Sequence, residues 1–189
     1  ALKTIEMLEV PIGEIDGDAT GGAIDSFGEF IIIASPAGFL GTLGTDLERI
    51  SFSDVRVPMD YDHVRLNVVT DKATFTPEQY RVLDTLVIPA EEQDTATLYV
   101  AHHKYEPGTE SFCSAISFST IRRTQSGLEF VGDWDELFRI TPCISMQETG
   151  WSFYGLEAGG KLAQLDDNHI LFSIGDFGLI ELDFPSSYI

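Results

Sequence analysis

Positive charge is what this sequence has least of. Its 189 residues carry 11 Lys and Arg against 31 Asp and Glu, a formal net charge of −20. A field of that sign repels phosphate backbones and anionic headgroups, so nucleic-acid and membrane-surface partners are not expected. Long apolar runs are missing too. The longest, Phe30 to Ala34, is strand-sized, far below the roughly 18 residues of a crossing helix, and no membrane span is expected. Cysteine is scarce: Cys113 and Cys143 stand alone, without the CxxC or Cys/His spacing of a zinc site. No Gly-x-Gly-x-x-Gly or P-loop signature occurs, and no serine sits in a Gly-x-Ser-x-Gly elbow. His63 and His169 have no spaced partner either.

What is present reads as β-structure. Apolar residues make up 43% and aromatics 11%, enough for a core in one domain covering residues 1–189. Near the C-terminus, Gly159-Gly160 leads into a semi-apolar run at Leu162, and Asp166-Asp167-Asn168 forms a turn. Ile170 to Ile174, the corner Gly175-Asp176-Phe177-Gly178 and Leu179 to Leu182 follow. Strand, polar turn, strand, glycine corner, strand is an antiparallel meander. The same order occurs early: Gly21-Gly22-Ala23-Ile24, a turn near Ser26 to Gly28, Phe30 to Ala34, Ser35-Pro36-Ala37-Gly38 and Phe39 to Leu43. Two copies of one meander predict an all-β repeat architecture. Blades run to roughly 40–50 residues, so the expectation is an incomplete β-propeller of four-stranded antiparallel blades, about four in this chain.

The middle fits further strands at Ile50 to Val57, His63 to Val69, Leu98 to His102, Phe112 to Ile121 and Phe130 to Phe138, with Ile140 to Met146 leading into Gly150-Trp151. Thr76-Pro77-Glu78-Gln79 is a helix start, with Thr at the cap and Pro at the first helical position, and the β-branched Val87-Ile88 beyond it predict a strand. His102 and His103 are adjacent in a strand, so they point to opposite faces, one to the core and one to the surface. That argues against joint metal binding.

Candidate binding residues are acidic or aromatic. Asp16, Asp18 and Thr20 alternate before Gly21, like the first half of a calcium loop, but Phe27 stands where a closing carboxylate belongs. The loop is either a calcium site or a plain Asp/Gly turn. Trp134, Trp151, Phe153 and Tyr154 offer planes for a carbohydrate ligand, or aromatic core. The chain begins at Ala1, as a mature exported protein does. In a periplasmic or extracellular setting Cys113 and Cys143 would close a disulfide between strands; otherwise they are buried free thiols.

From about residue 79 to 182 the order of features resembles a known family. Val82-Leu83-Asp84-Thr85-Leu86-Val87-Ile88-Pro89 with Leu98-Tyr99-Val100, then Ser114 to Thr120, then Gly160-Lys161-Leu162 through Ile174-Gly175-Asp176 are similar to successive strands of the soluble quinoprotein glucose and aldose dehydrogenases. These are six-bladed β-propellers that use pyrroloquinoline quinone (PQQ). The resemblance implies a catalytic site whose usual His base is replaced by Glu157, supported by Asp176, with Gln79 against quinone and substrate. The usual Asn-Gly beside that Gln is Tyr80-Arg81 here, and the basic residues that grip the quinone would lie in later blades. The expected role is therefore a non-catalytic scaffold or interaction subunit, completed by another chain or a missing segment. The alternatives are a PQQ-dependent sugar or alcohol dehydrogenase using Glu157, and a calcium-stabilised adhesion module.

Overall fold

Short apolar strands separated by tight turns assemble into antiparallel sheets, as the alternating pattern requires. A computed structural model describes residues 22–44, 50–68, 79–92, 94–125, 127–145 and 158–175. The first sheet is a four-stranded meander of β1 (Ala23–Phe27), β2 (Phe30–Ala34), β3 (Phe39–Leu43) and β4 (Ile50–Arg56). The second carries β5 (Val82–Pro89), β6 (Thr95–Glu106), β7 (Ser111–Thr124) and β8 (Gly127–Arg139) in that order. A short β9 (Ile144–Ser145) pairs with the start of β7. The third sheet is the hairpin of β10 (Gly159–Asp166) and β11 (His169–Ile174).

The protein is thus mostly antiparallel β, and among the described residues its sheets do not close into a ring. The earlier meander of the predicted repeat is present through β3, and the later one as far as its first hairpin. Ala23 to Ala34 pairs as β1 with β2, and Gly159 to Ile174 pairs as β10 with β11. Residues 179–182, the expected third strand of the later copy, lie outside the described residues. In the first hairpin Phe27 faces Phe30 across a two-residue turn. Gly28 occupies its first central position at φ 61°, the left-handed geometry such turns ask of glycine.

The sheets meet through their first strands. β5 lies between β1 and β10, so the three meanders follow one another in space as in sequence. The core fills the space from the first sheet to the second, with Ile32, Leu40, Met59, Tyr80, Leu98 and Phe112 fully buried. Tyr80 donates its hydroxyl to the Met59 carbonyl and packs edge-on against Phe112, with ring centroids 5.5 Å apart. Burial pushes the Tyr80 phenol well above its usual range.

One expectation is corrected here. His63 to Val69 was expected to be a strand, but α1 (Tyr61–His63) runs into a wider helical turn over Val64–Val68. Tyr61, Val64 and Val68 are the buried positions. That helical spacing prevails over the alternation of Val64, Leu66 and Val68, and Leu66 is left exposed. The strand expected after the Thr76-Pro77-Glu78-Gln79 helix start is β5, which begins at Val82. Of the predicted helix start only Gln79 is described, immediately before Tyr80.

The two cysteines do pair. Cys113 in β7 and Cys143 just before β9 form a disulfide with Cα atoms 4.7 Å apart. β8 leaves β7 after Arg139 pairs with Ala115, the chain bends through Thr141-Pro142, and pairing resumes when Ile144 meets Phe112. The disulfide fixes that bend.

The third sheet approaches the second closely at Gly160, where φ is 98° and an added Cβ would lie 2.3 Å from the Leu83 Cβ. Gly127 also has a positive φ, 148°, but nothing stands within 4 Å of its missing side chain. Gly160→Ala should therefore cost about 2–4 kcal/mol, from backbone strain and overpacking together. Gly127→Ala should cost about 1 kcal/mol, from strain alone. Chemical denaturation of the two variants reads the difference, and equal losses would mean that the β10–β5 contact is looser than described.

Candidate functional site

An unpaired strand edge exposes backbone N–H groups that need acceptors. Two aspartates supply them where the sheets join. Asp25, the third residue of β1, accepts the Val87 N–H of β5 at 2.6 Å through Oδ2, while its Oδ1 takes the Ser26 N–H at 2.7 Å. Asp84, the third residue of β5, accepts the Leu162 N–H of β10 at 2.8 Å and the Lys161 ammonium at 2.9 Å. Each first strand thus carries a carboxylate that latches the next first strand. The third residue of β10 is Lys161, a donor, so the series ends there.

Several of the cations are committed to similar pairs. Arg123 bridges Asp94 and Glu29, and its guanidinium lies 5.9 Å from the Phe27 ring. On the second sheet Lys104 and Arg139 both hold Glu136, at 2.6 and 2.9 Å, and Arg139 also reaches Glu106. Burial pushes the Glu136 carboxyl up, but the hydrogen bonds and charges of Lys104 and Arg139 outweigh it and hold the group below its usual value.

His102 and His103 are both fully buried, not one inside and one outside. β6 lies between β5 and β7, and both of its faces are covered at this row. The His103 Nδ1 accepts the Arg81 N–H at 3.1 Å, and its ring stands 5.9 Å from the Tyr80 ring. The His102 Nδ1 meets the His103 carbonyl at 2.7 Å and its Nε2 meets the Ser117 hydroxyl at 2.9 Å. Nδ1 therefore carries the proton and Nε2 accepts from Ser117. That connectivity is the one a base makes with a nucleophile, but at 0% and 2% exposure no substrate atom reaches it. The serine and histidine fill a structural role. Burial lowers the His102 pKa to about 4. Burial, the Arg81 charge and the His102 charge lower that of His103 to about 3, with the Gln79 backbone acting the other way.

Most of the residues singled out in the sequence lie elsewhere. Glu157, Asp176, Asp16, Asp18, Thr20, Trp151, Phe153 and Tyr154 are outside the described residues. The sequence neighbours of the first two are joined, since the Gly175 N–H donates to the Ala158 carbonyl at 2.8 Å. Gln79 is half-buried just ahead of β5, two residues from Arg81. Burial lowers the Arg81 pKa, and its buried Nε has no acceptor among the described residues. Trp134 is partly buried and packs against the core. Among the described residues no three His, Cys, Asp or Glu side chains are placed to hold a metal, and no helix is long and apolar enough to cross a membrane.

Asp25 and Asp84 were not singled out from the sequence. Their signal is an acid as third residue of an otherwise apolar strand start, Ala-Ile-Asp and Val-Leu-Asp. No protein-family model, curated protein or solved structure matches this chain.

Removing the Asp84 carboxylate leaves the Leu162 N–H without its acceptor. Asp84→Ala should cost about 2 kcal/mol, as for a buried hydrogen bond to a charged group. Asp84→Asn keeps an acceptor and gives up only the Lys161 pair, whose lysine is 75% exposed, so it should cost under about 1 kcal/mol. Denaturation curves together with hydrogen exchange at the Leu162 amide check both; identical losses in the two variants would remove the latch from the account.

The histidines set an acid limit. The unfolded chain takes up protons near the ordinary histidine pKa of 6.5, while the folded chain resists until about 4 at His102 and about 3 at His103. Stability is full above the unfolded value and falls as pH drops below it, by up to about 1.4 kcal/mol per pH unit for each histidine. The lowered carboxyls of Glu136 and Asp166 add their loss only below the usual carboxylate range. A pH series of denaturation midpoints should flatten between pH 6 and 5 in His102→Asn, and an unchanged slope would exclude His102 as a cause.

Proposed function

We propose that this chain is part of an extracytoplasmic β-propeller that serves as a non-catalytic scaffold or interaction subunit, completed by another chain or by further sequence. The observation that carries this reading is the run of first strands β1, β5 and β10, joined by Asp25 and Asp84 at the same strand position. Successive blades need such a run, because their first strands line one axis and their remaining strands fan outward. The Cys113–Cys143 disulfide supports an address outside the cytoplasm, where such bonds persist. The polar groups best placed for chemistry, His102 and Ser117, are sealed in the core and hold the second sheet together.

A PQQ-dependent sugar or alcohol dehydrogenase with Glu157 in place of the usual His base is the competing reading. It is favoured by the hydrogen bond between Ala158 and Gly175, which border Glu157 and Asp176. PQQ and calcium added to the protein, with a panel of aldoses and an electron-accepting dye, separate the two. The scaffold reading expects no dye reduction and no change in quinone absorbance. Turnover that disappears in Glu157→Ala would overturn it.

A further inference from the structure

We propose that the Cys113–Cys143 bond is a redox-operated clasp, which holds residues 140–145 on the edge of β7 when oxidised and releases them when a dithiol reduces it. The inference rests on the pairing around the bond and not on the propeller reading. β7 changes partner along one of its edges. From Ala115 onward that edge is paired with β8, beginning where Ala115 faces Arg139. Ahead of that point Ile140 donates its N–H to the Ser114 carbonyl at 3.0 Å, and β9 supplies two pairs, Ile144 with Phe112 and Ser145 with Ser111. Among the described residues no other strand pairs with this stretch of the edge.

The two ends of the clasp are held unequally. On its other edge β7 is anchored by β6, in an unbroken ladder from Thr95–Arg122 to Glu106–Ser111. Phe112 adds to that anchor, since it is fully buried with the Tyr80 and Tyr105 ring centroids 5.5 and 5.0 Å away. Residues 140–145 have no comparable hold. β9 is only two residues long, shorter than strands that stay paired by themselves. Ile140 and Ile144 bury only part of their surface against the core. The disulfide therefore supplies most of what keeps this segment down, and its loss opens a local unit while the sheet persists.

Access to the bond is one-sided as well. Cys113 is 1% exposed, whereas Cys143 is half-buried and follows the exposed Thr141-Pro142. A thiolate of the incoming dithiol attacks the Cys143 sulfur, forming a mixed disulfide and expelling Cys113, which takes a proton from water. The second thiol of the dithiol then attacks the mixed disulfide and frees Cys143. The dithiol leaves as its own disulfide, and the two cysteines have gained its two electrons. Closed, the segment shields the β7 backbone groups from foreign strands; open, it bares them beside Phe112.

Hydrogen exchange and thiol alkylation of the wild-type chain, with reduced or oxidised dithiothreitol, test the proposal. Reduction without denaturant should speed exchange at residues 111–112 and 144–145 by roughly a hundredfold, the scale of a lost cross-link, and open Cys143 to alkylation. The amides that β6 and β7 share around Leu98 and Ser119 should keep their protection, and reoxidation should restore the closed pattern. Cys143→Ala should show the open pattern with or without reductant. Protection lost throughout β6 and β7 on reduction would make the bond a staple of the whole fold and overturn the clasp. A Cys143→Ala chain that does not fold would say the same. Unchanged exchange after full reduction would mean that β9 stays in place unaided, and a bond reduced only in denaturant would mean that Cys143 is sealed. Either result overturns the proposal.

Discussion

A strand at the margin of a sheet has donors that nothing in its own sheet can satisfy. In this protein that requirement is met by carboxylates reaching across from the neighbouring sheet, Asp25 to Val87 and Asp84 to Leu162. The arrangement does two things at once. It satisfies backbone groups that would otherwise stay open to foreign strands, and it sets the order in which the meanders stack. A charged acceptor makes each such bond worth more than an ordinary amide pair, and Asp84 is buried enough to keep that advantage. The close packing at Gly160 is the geometric counterpart, since β10 comes near enough to be latched only where a side chain is missing.

The charge imbalance acquires a meaning in this light. Several of the few cations are spent on internal pairs: Arg56 with Asp62, Arg123 with Asp94 and Glu29, Lys104 and Arg139 around Glu136, Lys161 with Asp84. They neutralise acids where strands and sheets meet. Most of these pairs are half-exposed, so each contributes modestly and their arrangement matters more than their number. Arg81 differs, as its buried Nε has no acceptor among the described residues, although His103 stands beside it.

The hairpins were legible because turn chemistry and alternation agreed, as in Phe27-Gly28-Glu29-Phe30 and Asp166 to His169. The segment after Pro58 was not, because Val64, Leu66 and Val68 satisfy a strand pattern while Tyr61, Val64 and Val68 satisfy a helical one, and only burial decides between them. The histidine pair was misjudged for a related reason. Opposite faces of β6 were foreseen, but whether each face is covered depends on neighbours far away in sequence. The latches were overlooked because an aspartate in an apolar strand reads as an interruption until its acceptor role across a sheet junction is known. The cysteine pairing was left open by spacing alone; the bend that brings residue 143 back to β7 closes it.

The disulfide has a consequence for how this molecule can be taken apart. Its two ends, Cys113 and Cys143, are 30 residues apart in sequence and enclose the later part of β7, all of β8 and the turn between them. A protease that nicks the Thr124–Gly127 hairpin tip would therefore release no fragment. The two halves stay covalently tethered beside the buried imidazoles, and only the addition of a reductant would let them drift apart.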